Sequence, residues 1–411
     1  MMIFEILRRK ISTRRILLGC VVLLTIAASA AAQNVKDGVK IGWLGTLSTS
    51  QADVAGLGSI EAARMAIEDF GGKALGKPVE LVYADHMDKP DVGVAVAREW
   101  FERDGVDAIF DLPTSPVALA VNFLAKEEKK LVFFSDALTD KMTEEDCNGY
   151  GVAWAWDAPS IVKSNVLSQV AKGNDSWYVL TFDNATGIAI ESAIRQALEG
   201  AGGKLVGVVR APLGTTDFSS FLLKAKGSPA KVLAITLSGG DLVNAMKQVR
   251  EYRIDEGRKI AVIYGFDTDI KAIGLDLMTG LEFATPFYWG FDEQTRNFGN
   301  RFIQRFGKAP NLGQAGVYSA VFNYLKAVQT AGSKDPEKVL AQLRSAEIND
   351  MFVRHGTLLP NGRLNHDMFL VRVKSPAESK SEWDQLEVTN VVPASQAFRK
   401  IEESKCPLTR H

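Results

Sequence analysis

The stretch VKIGWLGTLSTSQADVAGLGSIEAARMAIEDF (residues 39–70) decides the fold of this chain, because the same pattern returns in AIFDLPTSPVALAVNFL (residues 108–124). Each stretch begins with a short apolar run, continues through a polar loop and ends in apolar residues at helical spacing, such as Ile60, Ala63 and Ile67. A repeated strand–loop–helix unit is typical of a parallel sheet covered by helices.

The polar loop of the second unit ends in Thr114, Ser115 and Pro116. Serine is a favourable N-cap and proline a favourable first helical residue, so Ser115 and Pro116 predict the start of a helix. The hydroxyl groups of Thr114 and Ser115 would then lie beside the free backbone N–H groups at the positive end of that helix. This loop therefore predicts a site for a small anion such as a carboxylate.

The alternation of strands and helices continues through the middle of the chain. Apolar, β-branched runs at 177–182, 205–209, 232–237 and 260–264 predict further strands, each followed by a polar or Gly-rich loop and a helix. We therefore expect an α/β fold with parallel sheets covered by helices on both faces. In such sheets ligands bind where the loops leave the carboxyl ends of the strands. The loops predicted at that edge are 45–58, 111–116, 135–139, 183–187, 238–241 and 265–268.

The first 32 residues predict a signal peptide. Five Lys or Arg residues precede an apolar stretch over 16–28, which ends in the small residues of 28–32. Arg14 and Arg15 leave open a twin-arginine export signal, although two arginines also fit an ordinary basic N-terminal region. Cys20 leaves open a lipoprotein cleavage box, although it lies inside the apolar run. No later stretch approaches about 18 uninterrupted apolar residues, so we expect an exported protein of the periplasm.

Charge and length limit the partners and the number of domains. Residues 1–32 contain five Lys/Arg and one Asp/Glu, so the remaining chain has 43 basic and 48 acidic residues and a formal net charge of −5. This balance argues against nucleic acid or an anionic membrane as a partner. About 380 residues exceed what one hydrophobic core usually supports, so two domains are expected.

Only Cys147 and Cys406 follow the predicted signal peptide. In an exported protein these two residues are expected to form one disulfide that fastens the C-terminal tail to the body, and two unpaired thiols are the alternative. The four histidines lack the spacing of metal ligands. We therefore expect neither a metal site nor another cofactor.

The motifs of common enzymes do not occur in the sequence. Gly56-Leu57-Gly58 resembles a fragment of a dinucleotide-binding loop, but it lies well past the strand and lacks the third glycine. There is no Gly-Lys-Ser/Thr phosphate loop and no Gly-x-Ser-x-Gly elbow. The segment 238–241 is explained as a tight turn into a helix, and no histidine stands out as a base for Ser238. We predict that the chain is not an enzyme.

Several longer motifs resemble one known family. They are Gly58-Ser-Ile-Glu-Ala-Ala-Arg-Met-Ala66, Ala84-Asp-His-Met-Asp-Lys-Pro-Asp91, Asp217-Phe-Ser-Ser-Phe221 and Gln314-Ala-Gly-Val-Tyr-Ser-Ala320. Over about residues 37–406 the chain resembles the exported branched-chain amino acid-type (leucine-binding-like) solute-binding proteins of ABC transporters. The resemblance implies the type I periplasmic-binding fold, in which two similar, doubly wound parallel-sheet lobes are joined by a three-crossing hinge.

The same resemblance implies lobe boundaries and partners. Lobe 1 would comprise 36–156 and 286–348, and lobe 2 would comprise 157–285 and 349–411 with the C-terminal tail. The protein would be a monomer that captures a small molecule between the closing lobes and delivers it to an ABC permease and ATPase complex at the inner membrane. A ligand sensor of the same fold that feeds a signalling partner is the alternative.

The resemblance also implies a ligand site. Its residues would be Thr114, Ser115, Ala137, Thr139, Asn184, Thr186 and Asp267. The resemblance assigns a ligand carboxylate to Thr114 and Ser115, and an α-ammonium group to Asp267. Position 186 lacks the aromatic residue of many relatives, and residues 48–51 read Ser-Thr-Ser-Gln in place of Ser-Gly followed by an aromatic residue. The implied ligand is a small amino acid or organic acid, with aromatic acids, amides and urea as alternatives.

Overall fold

Five parallel strands form the first sheet of the computed structural model, which describes residues 38–409 apart from the side chain of Ser164. The strands are β1 (Lys40–Gly45), β4 (Glu80–Asp85), β5 (Ala108–Asp111), β6 (Leu131–Phe134) and β7 (Gly151–Ala153). They lie in the order β4-β1-β5-β6-β7, and all neighbouring pairs are parallel. A short antiparallel hairpin of β2 (Lys73–Ala74) and β3 (Lys77–Pro78) precedes β4. The predicted signal peptide, residues 1–32, lies outside the described residues.

A second parallel sheet follows in the chain. Its strands are β8 (Ser176–Phe182), β9 (Lys204–Ala211), β10 (Val232–Thr236) and β11 (Lys259–Val262), in the order β11-β10-β8-β9. A smaller antiparallel sheet contains β12 (Glu282–Thr285), β15 (Met368–Val373) and β16 (Leu386–Val392), and β13 (Thr357–Leu358) pairs with β14 (Leu364–Asn365). The two parallel sheets confirm the predicted α/β fold class, whereas the smaller sheet was not among the predicted strands.

Helices connect the strands and cover the sheets. They are α1 (Ala52–Ala55), α2 (Leu57–Asp69), α3 (Pro90–Glu99), α4 (Ser115–Glu128), α5 (Ala158–Ala171), α6 (Ala185–Ala201), α7 (Ser219–Lys226), α8 (Gly239–Glu251), α9 (Asp267–Ile273), α10 (Leu275–Met278), α11 (Glu293–Phe306), α12 (Leu312–Ala331), α13 (Pro336–Ser345) and α14 (Ala394–Ala397). A π-helical turn, Trp100–Asp104, continues α3. Within residues 38–409 no helix is both long and apolar enough to cross a membrane.

The alternation of side chains along β1 supplies cores on both faces of the first sheet. Ile41 and Trp43 belong to the core that contains the buried residues of α2 and α12, whereas Leu44 belongs to the core under α3 and α4. Gly42 lies on the second face beneath Trp100. A Cβ atom at position 42 would come within 2.5 Å of the indole ring, so the close approach requires glycine.

The smaller antiparallel sheet shares its core with the second parallel sheet. Phe283 of β12 and Phe369 of β15 are buried in one cluster with Leu180 of β8, Leu233 of β10 and Val262 of β11. The C-terminal third of the chain therefore contributes to the same hydrophobic core as β8–β11. This packing brings segments that are distant in sequence into one unit.

The C-terminal tail is held to the segment after β6 by a disulfide and by buried charges. Cys147 and Cys406 are bonded across 259 positions of sequence. Arg363, only 1% exposed, lies 3.7 Å from a carboxylate oxygen of Glu144 and 3.7 Å from one of Asp157. Because both acids are also buried, the guanidinium group supplies the positive charge that such a site requires.

Candidate functional site

A cleft lies where loops leave the carboxyl ends of the strands of both parallel sheets. It encloses about 440 Å³ of empty space, part of it continuous with solvent. The loops after β1, β5 and β6 line one side, and the loops after β8, β10 and β11 line the other. Its polar and aromatic lining includes Gln51, Thr114, Asp136, Asn184, Thr186, Ser238, Tyr264 and Phe266. Ligands bind at this edge in sheets of this kind.

The two hydroxyl residues at the start of α4 have different surroundings. The helix begins at Ser115 with Thr114 as its N-cap, one residue earlier than the sequence predicted. Thr114 lines the cleft. Ser115 is fully buried, and its Oγ accepts a hydrogen bond from the backbone N–H of Thr139 at 3.2 Å. Of this pair, only Thr114 lies in the wall of the cleft.

The loop after β6 directs alternate residues into the cleft. Asp136 and Leu138 line it, whereas Ala137 belongs to the core beside α4 and Thr139 is buried. The residues assigned to the ligand from the sequence were Ala137 and Thr139. The structure thus places their neighbours in the lining, and a contact from Ala137 or Thr139 to a ligand stays a prediction.

Asn184 and Thr186 line the cleft from the side of the second sheet. Asn184 is the N-cap of α6, and its Oδ1 accepts a hydrogen bond from the backbone N–H of Gly187 at 3.1 Å. A Cβ atom at position 187 would lie 1.9 Å from the carbonyl oxygen of Phe182, so this tight turn requires glycine. The turn holds both small polar side chains at the cleft.

Aromatic side chains reach the cleft from positions that the sequence did not assign to it. Tyr264 and Phe266 line it, and both pack edge-on against Trp156, with ring centroids 5.6 and 6.1 Å away. Phe182, at the end of β8, adds a third ring to the lining. The cleft therefore has an apolar surface even though position 186 lacks an aromatic residue.

Asp267 and Asp269 are both buried near the start of α9. Asp267, the residue assigned to a ligand ammonium, is not among the residues that line the cleft. Burial raises its pKa to about 7. Asp269 accepts a hydrogen bond from the backbone N–H of Gly239 at 3.1 Å, which joins α9 to the first residue of α8. Burial likewise raises the pKa of Asp269 to about 7.

Asp136 is an acidic residue of the cleft that lies outside the ligand site implied by the sequence. It is 7% exposed, and its Oδ1 has no hydrogen-bond partner among the described residues. Burial raises the pKa of Asp136 well above its usual range, and the like charges of Asp111 and Asp269 raise it further. Asp136 follows the buried strand β6 by two residues at the predicted binding edge, which is the signal that could have identified it.

A further buried acid lies close to Asp136. Asp111, at the end of β5, accepts a hydrogen bond on Oδ2 from Nε1 of Trp43 at 2.7 Å, and burial raises its pKa to about 7. In the part of the chain that the structure describes, no Lys, Arg or His side chain lines the cleft. Among the described residues that line the cleft, Asp136 is the one carboxylic acid.

Direct hydrogen bonds join the two sides of the cleft. Nε2 of Gln51 donates to the carbonyl oxygen of Ser238 at 3.1 Å, and Oγ of Ser238 donates to Oε1 of Gln51 at 2.8 Å. Oγ of Ser50 donates to Oδ2 of Asp241 at 2.8 Å, and the backbone N–H of Gly240 donates to the carbonyl oxygen of Ser50 at 3.2 Å. The loop after β1 is thereby linked to the N-terminus of α8.

The described residues offer no metal centre. Between residues 38 and 409, no group of three or more His, Cys, Asp or Glu side chains is arranged to hold a metal ion. His86, which lies among acidic residues in the sequence, is fully buried. Burial lowers the pKa of His86 to about 4, so its ring is neutral at physiological pH.

Two parallel sheets, each covered by helices, meet at one cleft by the carboxyl ends of their strands, which defines a type I periplasmic-binding fold. Residues 38–380 match the family described as periplasmic binding protein. The chain belongs to this family. It is 41% identical to a periplasmic binding protein from Burkholderia mallei, over 91% of this chain and 99% of that chain, with a TM-score of 0.88.

Two other relatives are named for branched-chain amino acids. One is a branched-chain amino acid ABC transporter periplasmic ligand-binding protein from Burkholderia xenovorans, 47% identical over 90% of this chain and 100% of that chain, with a TM-score of 0.81. The other is the Leu/Ile/Val-binding protein homolog 6 of Brucella melitensis, 25% identical over 350 residues, or 81% of this chain and 86% of that protein. The chain is thus a branched-chain amino acid-type periplasmic binding protein, a solute-binding protein for an ABC transporter and not an enzyme.

Proposed function

We propose that this chain is an exported, monomeric receptor that captures a small amino acid or organic acid in the cleft and delivers it to an ABC permease and ATPase complex at the inner membrane. The cleft is the observation that carries the proposal. Loops of both sheets line it, and hydrogen bonds from Ser50 and Gln51 cross it. The relatives named for branched-chain amino acids support a ligand with an amino acid skeleton. Export would depend on the signal peptide over residues 1–32.

The proposed lobes are residues 36–156 with 286–348, and 157–285 with 349–411. Two contacts agree with this division, because α12 shares a core with β1 and β15 shares one with β8, but the core of α12 and β1 also contains buried residues of β8 and of 349–411. A ligand that contacts both lobes would stabilise the closed form, which a permease must distinguish from the empty receptor. The hydrogen bonds across the cleft would then belong to the closed form.

Each side of the cleft would contribute its own contacts. Thr114 and the backbone N–H groups at the start of α4 would bind a ligand carboxylate, because the positive end of a helix favours an anion. Asn184 and Thr186 would join from the second sheet when the lobes close. Tyr264 and Phe266 would cover an apolar part of the ligand.

Thermal unfolding of the purified protein, refolded to remove any bound solute, tests the proposal. The panel contains amino acids, short organic acids, aromatic acids, amides and urea. A ligand at about a hundred times its dissociation constant should stabilise the folded protein by about 2.7 kcal/mol. If no class in the panel shifts the unfolding temperature, the proposed function is contradicted.

A pair of variants connects such a ligand to the cleft. Thr114→Ala should weaken binding by about five- to tenfold, because a typical hydrogen bond contributes about 1 kcal/mol. Thr330→Ala, at an exposed position on α12, is the control and should bind as the unmodified protein does. Full affinity of Thr114→Ala would count against this part of the site.

A further inference from the structure

The carboxyl group of Asp136 has one oxygen without a partner in the wall of the cleft. Asp136 lines the cleft, and only 7% of its surface is exposed to solvent. Its Oδ1 accepts no hydrogen bond from any described residue. Buried polar atoms are nearly always paired, so an unpaired one in the wall of a binding cleft indicates a contact that the ligand completes.

The groups that face Asp136 do not neutralise it. When ionised, Asp111 and Asp269 carry like charges, and the indole N–H of Trp156 donates to the backbone carbonyl oxygen of Asp136 at 3.2 Å. The phenol of Tyr264 lies close enough to interact electrostatically with Asp136. The carboxyl group of Asp136 also lies against Gly313 in the first turn of α12, where an added Cβ atom would come within 3.4 Å of Oδ2. The partial positive charge at the start of α12 is therefore the nearest group that offsets a negative charge on Asp136.

In its ionised form, Asp136 would repel anions and attract cations. No Lys, Arg or His side chain between residues 38 and 409 lines the cleft, so the described protein groups provide no full positive charge there. An ionised carboxylate in such a place is unfavourable unless a positive group pairs with it. A ligand that brings its own positive charge would supply that partner.

We propose that Asp136 anchors a positively charged nitrogen of the ligand, an ammonium or amidinium group, so that the receptor takes organic cations or zwitterions and rejects plain carboxylic acids. The inference rests on the proposed function, because it names the substrate class of the same cleft. N–H groups of the ligand would donate charge-assisted hydrogen bonds to Oδ1. Tyr264 and Phe266 add ring surfaces that suit a cation or an apolar chain.

Matched probes separate the effect of charge from that of shape. Benzamidine and benzoate have nearly the same planar shape and opposite charges. Leucine, isoamylamine and isocaproate share a branched carbon skeleton and differ in their charged ends. Isothermal titration calorimetry of the refolded protein with each probe gives the affinities directly.

The outcomes distinguish this inference from the proposed function. Binding of benzamidine, leucine or isoamylamine, without binding of benzoate or isocaproate, supports the role of Asp136. Binding of the carboxylates alone, or equal binding of both sets, overturns that role and leaves the receptor function intact. If neither set binds, both the anchor and the proposed function are contradicted.

Substitution of Asp136 tests the residue itself. Asp136→Asn keeps the shape and removes the charge, so the affinity for the cationic probes should fall by about 10- to 100-fold. Asp104→Asn removes an equal charge from an exposed position and is the matched control, with affinities expected within about twofold of the unmodified protein. An Asp136→Asn protein that folds and binds these probes unchanged overturns the proposal.

Proton release provides a readout on the unmodified protein. Because the pKa of Asp136 is raised in the empty cleft, a cation that binds the ionised form should expel a proton. Titrations at mildly acidic pH in buffers of different ionisation enthalpy should detect this proton, and the affinity for the cationic probes should increase with pH. The release should be smaller in Asp136→Asn. Cation binding without release, or with the same release in the variant, overturns the proposal.

Discussion

The hydrogen bond between Ser50 and Asp241 gives a direct test of closure, because Ser50 is not among the residues that line the cleft. Oγ of Ser50 donates to Oδ2 of Asp241 at 2.8 Å across 191 positions of sequence. In Ser50→Ala this bond is lost while the backbone bond from Gly240 to residue 50 can remain. The substitution therefore weakens a link between the two sides without changing the lining.

The size of the effect follows from the surroundings of Asp241. A hydrogen bond to a charged group contributes about 1.5–3 kcal/mol. The lower figure applies here, because Asp241 retains a bond from the backbone N–H of Gly214 at 2.9 Å and Ser50 is partly exposed. A loss of about 1.5 kcal/mol from the closed form corresponds to an affinity about twelvefold weaker. The empty, open receptor would not make the bond, so its free energy of unfolding should not change.

Calorimetric titration and urea unfolding of the ligand-free protein measure these two quantities separately. Ser345→Ala, which removes a hydroxyl that bonds within α13, is the control and should change neither. A double-mutant cycle with Asp241→Asn should recover a coupling of about 1.5 kcal/mol, since the two side chains are in contact. An affinity within twofold of the unmodified protein would refute the assignment of this bond to the closed form.

Three other expectations concern stability. Reduction of the Cys147–Cys406 disulfide should lower the temperature of thermal unfolding, because closing so long a loop contributes about 5 kcal/mol by chain entropy. A Cys147→Ser/Cys406→Ser protein is the control and should not respond to reductant. If reductant leaves the unfolding temperature of the unmodified protein unchanged, the expected stabilisation is contradicted. Arg363→Met should cost about 3–5 kcal/mol in urea unfolding, because the buried carboxylate of Asp157 loses its guanidinium partner, while Glu144 keeps Arg399 at 3.2 Å. The exposed Arg195→Ala should cost less than about 1 kcal/mol, and similar costs for the two variants would contradict this view. The contribution of Asp111 to stability should fall as the pH rises from about 4 to about 7, because Asp111 retains its proton up to a pKa of about 7 when folded and to about 3.9 when unfolded. His86, whose pKa burial lowers to about 4, contributes in the opposite direction. Asp111→Asn should remove the contribution of Asp111 from pH-dependent urea titrations, and an unchanged pH dependence would exclude this contribution.

The strands and helices of the parallel sheets were predictable because their signal is local. The run at 232–237 corresponds to Val232–Thr236, and the helical spacing of Ile60, Ala63 and Ile67 falls within the helix Leu57–Asp69. Each of these elements buries an apolar face whose period is visible in the sequence. Differences of one or two residues at their ends reflect caps and turns, which depend on single backbone angles.

The side chains of the cleft were less predictable, because loops lack such a period. The loop at 135–139 was predicted at the correct edge, yet the structure turns Asp136 and Leu138 into the lining. Contacts between distant segments, such as Gln51 with Ser238 across 187 positions, leave no local pattern either. Carrying site residues over from a family by sequence position therefore identifies the loops of a binding site more securely than the side chains that contact a ligand.

The pairing of Cys147 with Cys406 has a consequence for biogenesis. Residues 33–411 contain no other cysteine, so oxidation of that part of the chain has a single intramolecular product and cannot yield scrambled isomers. The bond cannot form until synthesis reaches Cys406, close to the C-terminus. An oxidase alone should therefore complete maturation without an isomerase, and a chain truncated before this residue would expose a lone thiol to quality control.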